Sequence, residues 1–264
     1  MGAVTQESSK LISSEEERFA SFLRERNLEK TNANDAEVCP ADSAYTRYIK
    51  RALDLVIGII AFVVTLPFNI IFGICTFFDV GRPIFYKQTR IGRGGKPFVM
   101  VKFRNMNNKT DADGKLLPAN ERVTKFGRFM RKFSFDELLN FWYVVKGDMS
   151  IIGPRPMPDF FVDRMSDRHK MRHAVRPGLE CPYTVPDGSK LNNYYWKFEN
   201  DVWYVENVSF KTDFFMLVKL FKLTFNMSKR GSHAGGLSYF AGYDDKCHAI
   251  SLREAKEKYD LELY

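Results

Sequence analysis

No two of the four cysteines, at positions 39, 75, 181 and 247 of 264, form a C-x-x-C pair. That excludes a redox dithiol or a cysteine-rich zinc site, and with no cleavable signal peptide ahead of them they read as reduced thiols on the cytoplasmic side. A G-x-S-x-G elbow, a G-x-G-x-x-G run after a strand and a Walker A lysine are also missing, which removes hydrolase, dinucleotide and NTPase readings. His169 and His173 stand four apart without the glutamate of H-E-x-x-H or an evident third ligand, so no metal is expected there. Met1-Gly2 opens like a myristoylation signal, but position 6 is Gln rather than Ser or Thr. Acidic residues are outnumbered, 32 against 40 basic, and the formal charge of +8 implies an anionic partner. Nucleic acid, anionic lipid and phosphorylated small molecules all meet that condition.

What is present organises the chain into three parts. With 45% apolar residues it can bury one substantial core, hence one main domain with appendages. Residues 1–45 are polar and slightly acidic, an extension separate from that domain; Ser14 and Glu17 form a capping box, and Phe19, Phe22 and Leu23 recur at helical spacing, predicting an amphipathic helix near 15–28. Residues 31–43 show no apolar period and read as a linker. The main domain follows at 46–228, and the tail, 229–264, is expected to be irregular and then helical.

Between Leu55 and Phe78 there is no charged side chain, enough length to cross a bilayer and too long a run for an ordinary core helix. This membrane helix, 53–79, contains Pro67, which removes a backbone bond and predicts a kink near Leu66. Lys50 and Arg51 precede it, and Arg82, Lys87, Arg90 and Arg93 follow. The positive-inside rule retains both clusters on one side, which favours a re-entrant helix turning back at Pro67 over one that spans. The same run argues against nucleic-acid binding, which would need a basic patch interleaved with exposed aromatics. Pro83–Tyr86 and Pro97–Phe103 bracket Gly92, Gly94 and Gly95, a hairpin pattern. Near 214–225, Phe214, Leu217, Val218, Phe221 and Phe225 form an apolar stripe beside Lys211, Lys219 and Lys222, either an interfacial helix in the headgroup plane or one packed on the core.

The segment that can carry chemistry is RKFSFDELL, 131–139. Ser134 and Glu137 match a capping box, which puts Asp136 and Glu137 in the first turn of a helix; capping alone accounts for the carboxylates locally. Around them cluster Lys102, Arg104, Arg128, Arg131 and Lys132, company that suits phosphate. A carboxylate there can attack a phosphoryl group while a divalent cation offsets charge repulsion. Downstream, Pro154-Arg155-Pro156 fixes the backbone on both sides of one guanidinium, either to grip phosphate or as a rigid surface turn, and Arg176-Pro177-Gly178 repeats the design.

In order along the chain, Lys50-Arg51, the kinked apolar helix, KFR-N-M at 102–106, KFGRFMRKFSFDEL at 125–138, KGDMSIIGPRP at 146–156, RPG at 176–178 and DVWYVENVSFKTD at 201–213 resemble the monotopic phosphoglycosyl transferases, bacterial sugar transferases that begin glycan assembly on undecaprenyl phosphate. The resemblance implies a mostly α fold with a small β-hairpin, anchored in the bacterial inner membrane by a re-entrant helix with its catalytic domain on the cytoplasmic face. It implies a nucleotide-sugar donor, usually UDP-linked, a polyprenyl phosphate acceptor, release of UMP and delivery of the product to downstream glycosyltransferases. Asp136 becomes the nucleophile and a ligand of Mg2+, Glu137 its partner, and Lys102, Arg131 and Arg155 phosphate or substrate contacts.

Three departures from the family pattern stand out. Leu66 replaces the Ser of the usual Ser-Pro kink, with Thr65 nearby to bond a freed carbonyl; Leu139-Asn140-Phe141 replaces Pro-Gln-Leu; and 179–188, LECPYTVPDG, replaces a run expected to border the donor site. A membrane-associated scaffold that binds anionic lipid without catalysis is the alternative function.

Overall fold

The computed structural model describes residues 14–114, 116–181, 193–225 and 239–259. Helix α1, Ser14–Leu23, continues through a π-helical turn, Arg24–Leu28, into α2, Glu29–Asn34. The predicted helix is therefore present but six residues longer than its predicted end, taking up the start of the expected linker. Its extension is held from within and without: Thr31 donates to the Asn27 carbonyl at 2.8 Å, and the Asn27 amide donates to Tyr243 O at 2.9 Å. A second π-helical turn, Tyr45–Ile49, leads into the 31-residue α3, Lys50–Val80. Then come β1, Phe85–Ile91, and β2, Pro97–Phe103, paired antiparallel with Phe85 opposite Phe103. The predicted hairpin is observed, and its turn uses Gly94 and Gly95 at φ +67° and +75°, a region glycine enters without steric cost.

The rest of the domain is short helices joined by two more small sheets: α4, Ala119–Arg122; α5, Lys125–Phe133; α6, Asn140–Lys146; β3, Ser150–Ile152; α7, Asp167–Lys170; β4, Gly178–Glu180, parallel to β3; α8, Tyr194–Glu206; and α9, Phe210–Phe225. In the described part of the tail a hairpin, β5, Phe240–Tyr243, and β6, Ala249–Ser251, stands where irregular chain was expected, ahead of the expected helix, α10, Leu252–Lys258. All seven residues of these two strands are buried, so the polar alternation that would have revealed them is absent. Phe19 and Leu23 of α1 share a core with Ala241, Ile250, Leu252 and Ala255, so the segments at the two ends meet. The main core gathers Met100, Tyr143, Val144, Met149, Ile152, Tyr204 and Met216.

Only 11% of the most apolar stretch of Tyr45–Val80 is buried, so it is not the core helix of this domain, and among the described residues it is the one helix long and apolar enough to cross a membrane. It runs through Pro67 as one helix; the Thr65 hydroxyl donates to the Ala61 carbonyl at 2.8 Å and lies 3.3 Å from that of Phe62. Both ends are tied to the same domain. At the first, Lys50 pairs with Asp213 at 2.7 Å, Arg51 donates to the Val144 and Val145 carbonyls near the end of α6, and Asp54 accepts from Ser150 Oγ and Ile151 N at 2.9 and 3.0 Å. At the second, Arg104 donates to Val80 O, Thr124 Oγ1 donates to Asp79 at 2.6 Å, and Phe72 stacks on Phe135 with centroids 4.8 Å apart. In α9, Met216 is buried and Leu217 and Leu220 lie on the core while Phe210, Phe214 and Phe221 are exposed, so the stripe divides between a packed side and an open aromatic side.

Candidate active site

The turn that carries the two carboxylates is built from α5 outward. Thr124 caps α5, accepting from Gly127 N at 2.8 Å, and the helix ends at Ser134, whose φ of 58° and ψ of 27° place it in the left-handed region. Phe135–Glu137 then forms a single 3-10 turn. The expected capping box is absent: Ser134 terminates one helix instead of opening the next, and its side chain makes no capping bond. S-x-x-E suits either end of a helix when the serine adopts left-handed backbone, and the cation-rich α5 before it decides for the C-terminus.

Asp136 is 5% exposed, and its Oδ2 accepts from Asn105 Nδ2 at 3.0 Å. Asn105 Oδ1 in turn accepts from Arg131 Nη2 at 2.7 Å, so Arg131 reaches the aspartate through the amide of Asn105. Glu137 is ion-paired with Arg155, whose Nη1 also donates to Leu179 O at 3.1 Å. The neighbours drive the two carboxylates apart. Burial, then the charge of Glu137, pushes Asp136 above the usual carboxylate range against the pull of Lys102 and Arg131. Burial acts on Glu137 in the same sense, but Arg155, with Lys102 and Arg90, outweighs it and holds Glu137 below that range. Glu137 is thus favoured as an anion and Asp136 made more basic.

Every carbonyl of Pro154-Arg155-Pro156 is held by a different segment. Gly178 N donates to Pro154 O at 3.0 Å, Arg172 Nη2 to Arg155 O at 2.9 Å, and Arg90 Nη1 to Pro156 O at 2.9 Å. Arg172 is itself fixed by a buried pair with Asp201 at 2.6 Å. A Cβ on Gly178 would lie 2.2 Å from Gly153 N, so the two glycines let the RPG and PRP turns touch.

Residues 45–227 match the family described as Bacterial sugar transferase. The chain belongs to that family. It is 40% identical over 166 residues to an uncharacterized sugar transferase, EpsL, of Bacillus subtilis, covering 62% of this chain and 81% of that protein. It is 32% identical over 179 residues to a UDP-N-acetylgalactosamine-undecaprenyl-phosphate N-acetylgalactosaminephosphotransferase of Aeromonas hydrophila, covering 65% of this chain and 42% of that protein. With an undecaprenyl-phosphate galactose phosphotransferase of Salmonella typhimurium it shares 32% identity over 195 residues, 67% of this chain and 40% of that protein. The chain thus spans about two fifths of the latter two relatives.

In this transferase, Asp136, Glu137, Lys102, Arg131 and Arg155 come together. Lys102 acts on both carboxylates, and its ammonium has no hydrogen-bond acceptor among the described residues, resting instead 5.7 Å from the centre of the Tyr86 ring. Of the other two predicted phosphate contacts, Arg104 Nη2 donates to Val80 O at the end of α3, and Arg176 Nε donates to Gly147 O at 3.1 Å beside Arg93 and Arg51. Of the altered run 179–188, residues 182–188 lie outside the described residues. His169 binds Tyr243 OH at 2.7 Å and Glu199 at 2.9 Å, and burial lowers His173 to about 3, which keeps it neutral. Asn105 and Arg90 were missed as site residues. Asn105 was visible only as part of KFR-N-M, and Arg90 only as a flanking charge.

Proposed function

We propose that this transferase moves a sugar 1-phosphate from a nucleotide sugar, UDP-linked, to polyprenyl phosphate at the cytoplasmic face of the bacterial inner membrane, opening the assembly of a glycan that downstream glycosyltransferases extend. The observation that carries the reading is the divided pair: a basic, buried Asp136 beside a Glu137 locked to Arg155, on a turn seated against the apolar helix. Asp136 attacks the sugar-bearing phosphorus and the bond to the nucleotide's phosphate breaks, its electron pair leaving with UMP. An oxygen of polyprenyl phosphate then attacks the same phosphorus and the electron pair of the Asp136 bond returns to the carboxylate. Arg131 steadies Asp136 through Asn105, and Lys102 and Arg155 balance phosphate charge.

The residues suit Mg2+, an ion that keeps waters and takes one or two protein carboxylates together with substrate phosphates. One carboxylate, Asp136, stands beside a Glu137 already held by Arg155, and no larger acidic or histidine cluster occurs among the described residues. Asp136 would hold the ion, which supplies neutralisation of the diphosphate.

The anchoring of both ends of α3 to one domain supports re-entry, since a helix that spans would carry one end away from it. The exposed aromatic side of α9 supports an interfacial position. A non-catalytic scaffold would have no use for a basic aspartate held by an amide relay. The test is UMP release from a panel of UDP-sugars with polyprenyl phosphate and Mg2+: Asp136→Asn is expected to abolish it, together with any labelled phosphosugar adduct, while membrane association persists. Normal turnover by Asp136→Asn would overturn the mechanism.

A further inference from the structure

Between the hairpin and Glu137 lies a cavity of about 20 Å³, room for one water-sized atom, lined by Gln88, Arg90, Lys102, Glu137, Arg155 and Pro156 among others. Three cations face one carboxylate there. One of the cations carries a buried donor without an acceptor: Arg90, whose Nη1 and Nη2 are taken by Pro156 O and Gln88 Oε1 but whose buried Nε has no partner. A buried donor without an acceptor is costly, so an oxygen-sized, electropositive space beside it, also lined by Lys102 and Arg155, suits an anionic oxygen. Burial, with Arg155 next to it, lowers Arg90 to about 10, the mark of a cation short of compensating negative charge.

We infer that this cavity seats an oxygen of the phosphate that is not transferred, and that Arg90 is a substrate-binding residue in both half-reactions. The inference rests on the double displacement proposed above. In-line attack by Asp136 puts the departing nucleotide phosphate on the far side of the transferred phosphorus, and the polyprenyl phosphate that displaces Asp136 must come from that same side. The cavity is lined by Glu137 and not Asp136, and Lys102, also on its lining, acts on both carboxylates. One seat is therefore used twice, first by the nucleotide's phosphate as it leaves and then by the lipid's as it arrives. The charges balance without a proton: the adduct carries one negative charge, UMP leaves with two, and the lipid phosphate brings two.

The full-length chain in nanodiscs tests this. UMP is expected to inhibit competitively against polyprenyl phosphate, and Arg90→Gln to raise the UMP inhibition constant and both KM values by about tenfold or more, the loss of a hydrogen bond to a charged group. To separate contact from shaping of the Pro156 turn, UMP and uridine are titrated onto the Asp136→Asn protein with and without Arg90→Gln. Weakening of UMP alone supports phosphate contact, whereas equal weakening of both, no weakening, or a noncompetitive UMP pattern overturns the inference. Absent turnover with every nucleotide sugar would sink the proposed reaction, while Arg90-dependent UMP binding would still uphold the seat.

Discussion

Asn105 is the residue on which the proposed catalytic geometry turns, because its single amide joins Arg131 to Asp136. Lys102 sets the protonation side of the same group. The proposed mechanism needs Asp136 ionised, and since its pKa is raised, activity is expected to fall on acidification at a higher pH than an ordinary carboxylate would give. Lys102 pulls that pKa down, so Lys102→Met should move the acid limb of the kcat/KM profile to still higher pH; an unmoved or lowered limb would refute the assignment. At this scale the sequence was legible where chemistry is local. Asp136, Glu137, Arg131 and Arg155 stood out because charges of both signs crowd a short stretch. Arg90 and Asn105 did not: which way a residue of β1 points depends on a register that no local pattern states, and Asn105 lies in the irregular stretch after β2, whose partners only the fold supplies.

Among the elements, α5 meets the segment just after β2 through a glycine. A Cβ on Gly127 would lie 2.1 Å from the Asn105 carbonyl oxygen, a backbone atom that cannot swing aside. Gly127→Ala is thus expected to cost at least about 1–3 kcal/mol and to cut turnover by displacing Asn105, checked by thermal melting and UMP release; wild-type values for both would contradict the contact. The hairpin was readable from its glycines and apolar strands, and the apolar helix from its length. The capping box misled because one tetrapeptide serves two helix ends, and β5–β6 stayed hidden because strands buried on both faces lose their alternation.

For the whole molecule, topology is the main expectation still to be tested. Single cysteines placed at Tyr48 and Lys87, in a background without the four native thiols, should label from the same side of sealed vesicles; labelling from opposite sides would establish a spanning helix. The sequence suggested re-entry only through its charge clusters. The fold adds reasons it could not display, since Lys50 and Arg51 are not loose flanking charges but are bound to Asp213 and to the end of α6. The meeting of the two terminal segments was equally hidden, because nothing in either one names its partner.

The stacking of Phe135 on Phe72 has a consequence for how the protein experiences its lipid surroundings. The residue before the proposed nucleophile leans on the apolar helix itself, so a shift or tilt of α3 is expected to reach Asp136. Acyl-chain length thereby becomes a variable of the reaction: in nanodiscs of short, medium and long lipids, turnover should pass through an optimum at matched thickness. Phe72→Ala should flatten that optimum while the protein remains bound, and an equally sharp optimum in the variant would show that the stack does not carry it. The enzyme would then act as a gauge of bilayer thickness, working only where its anchor sits at the depth that brings the nucleophile level with the phosphate of the lipid.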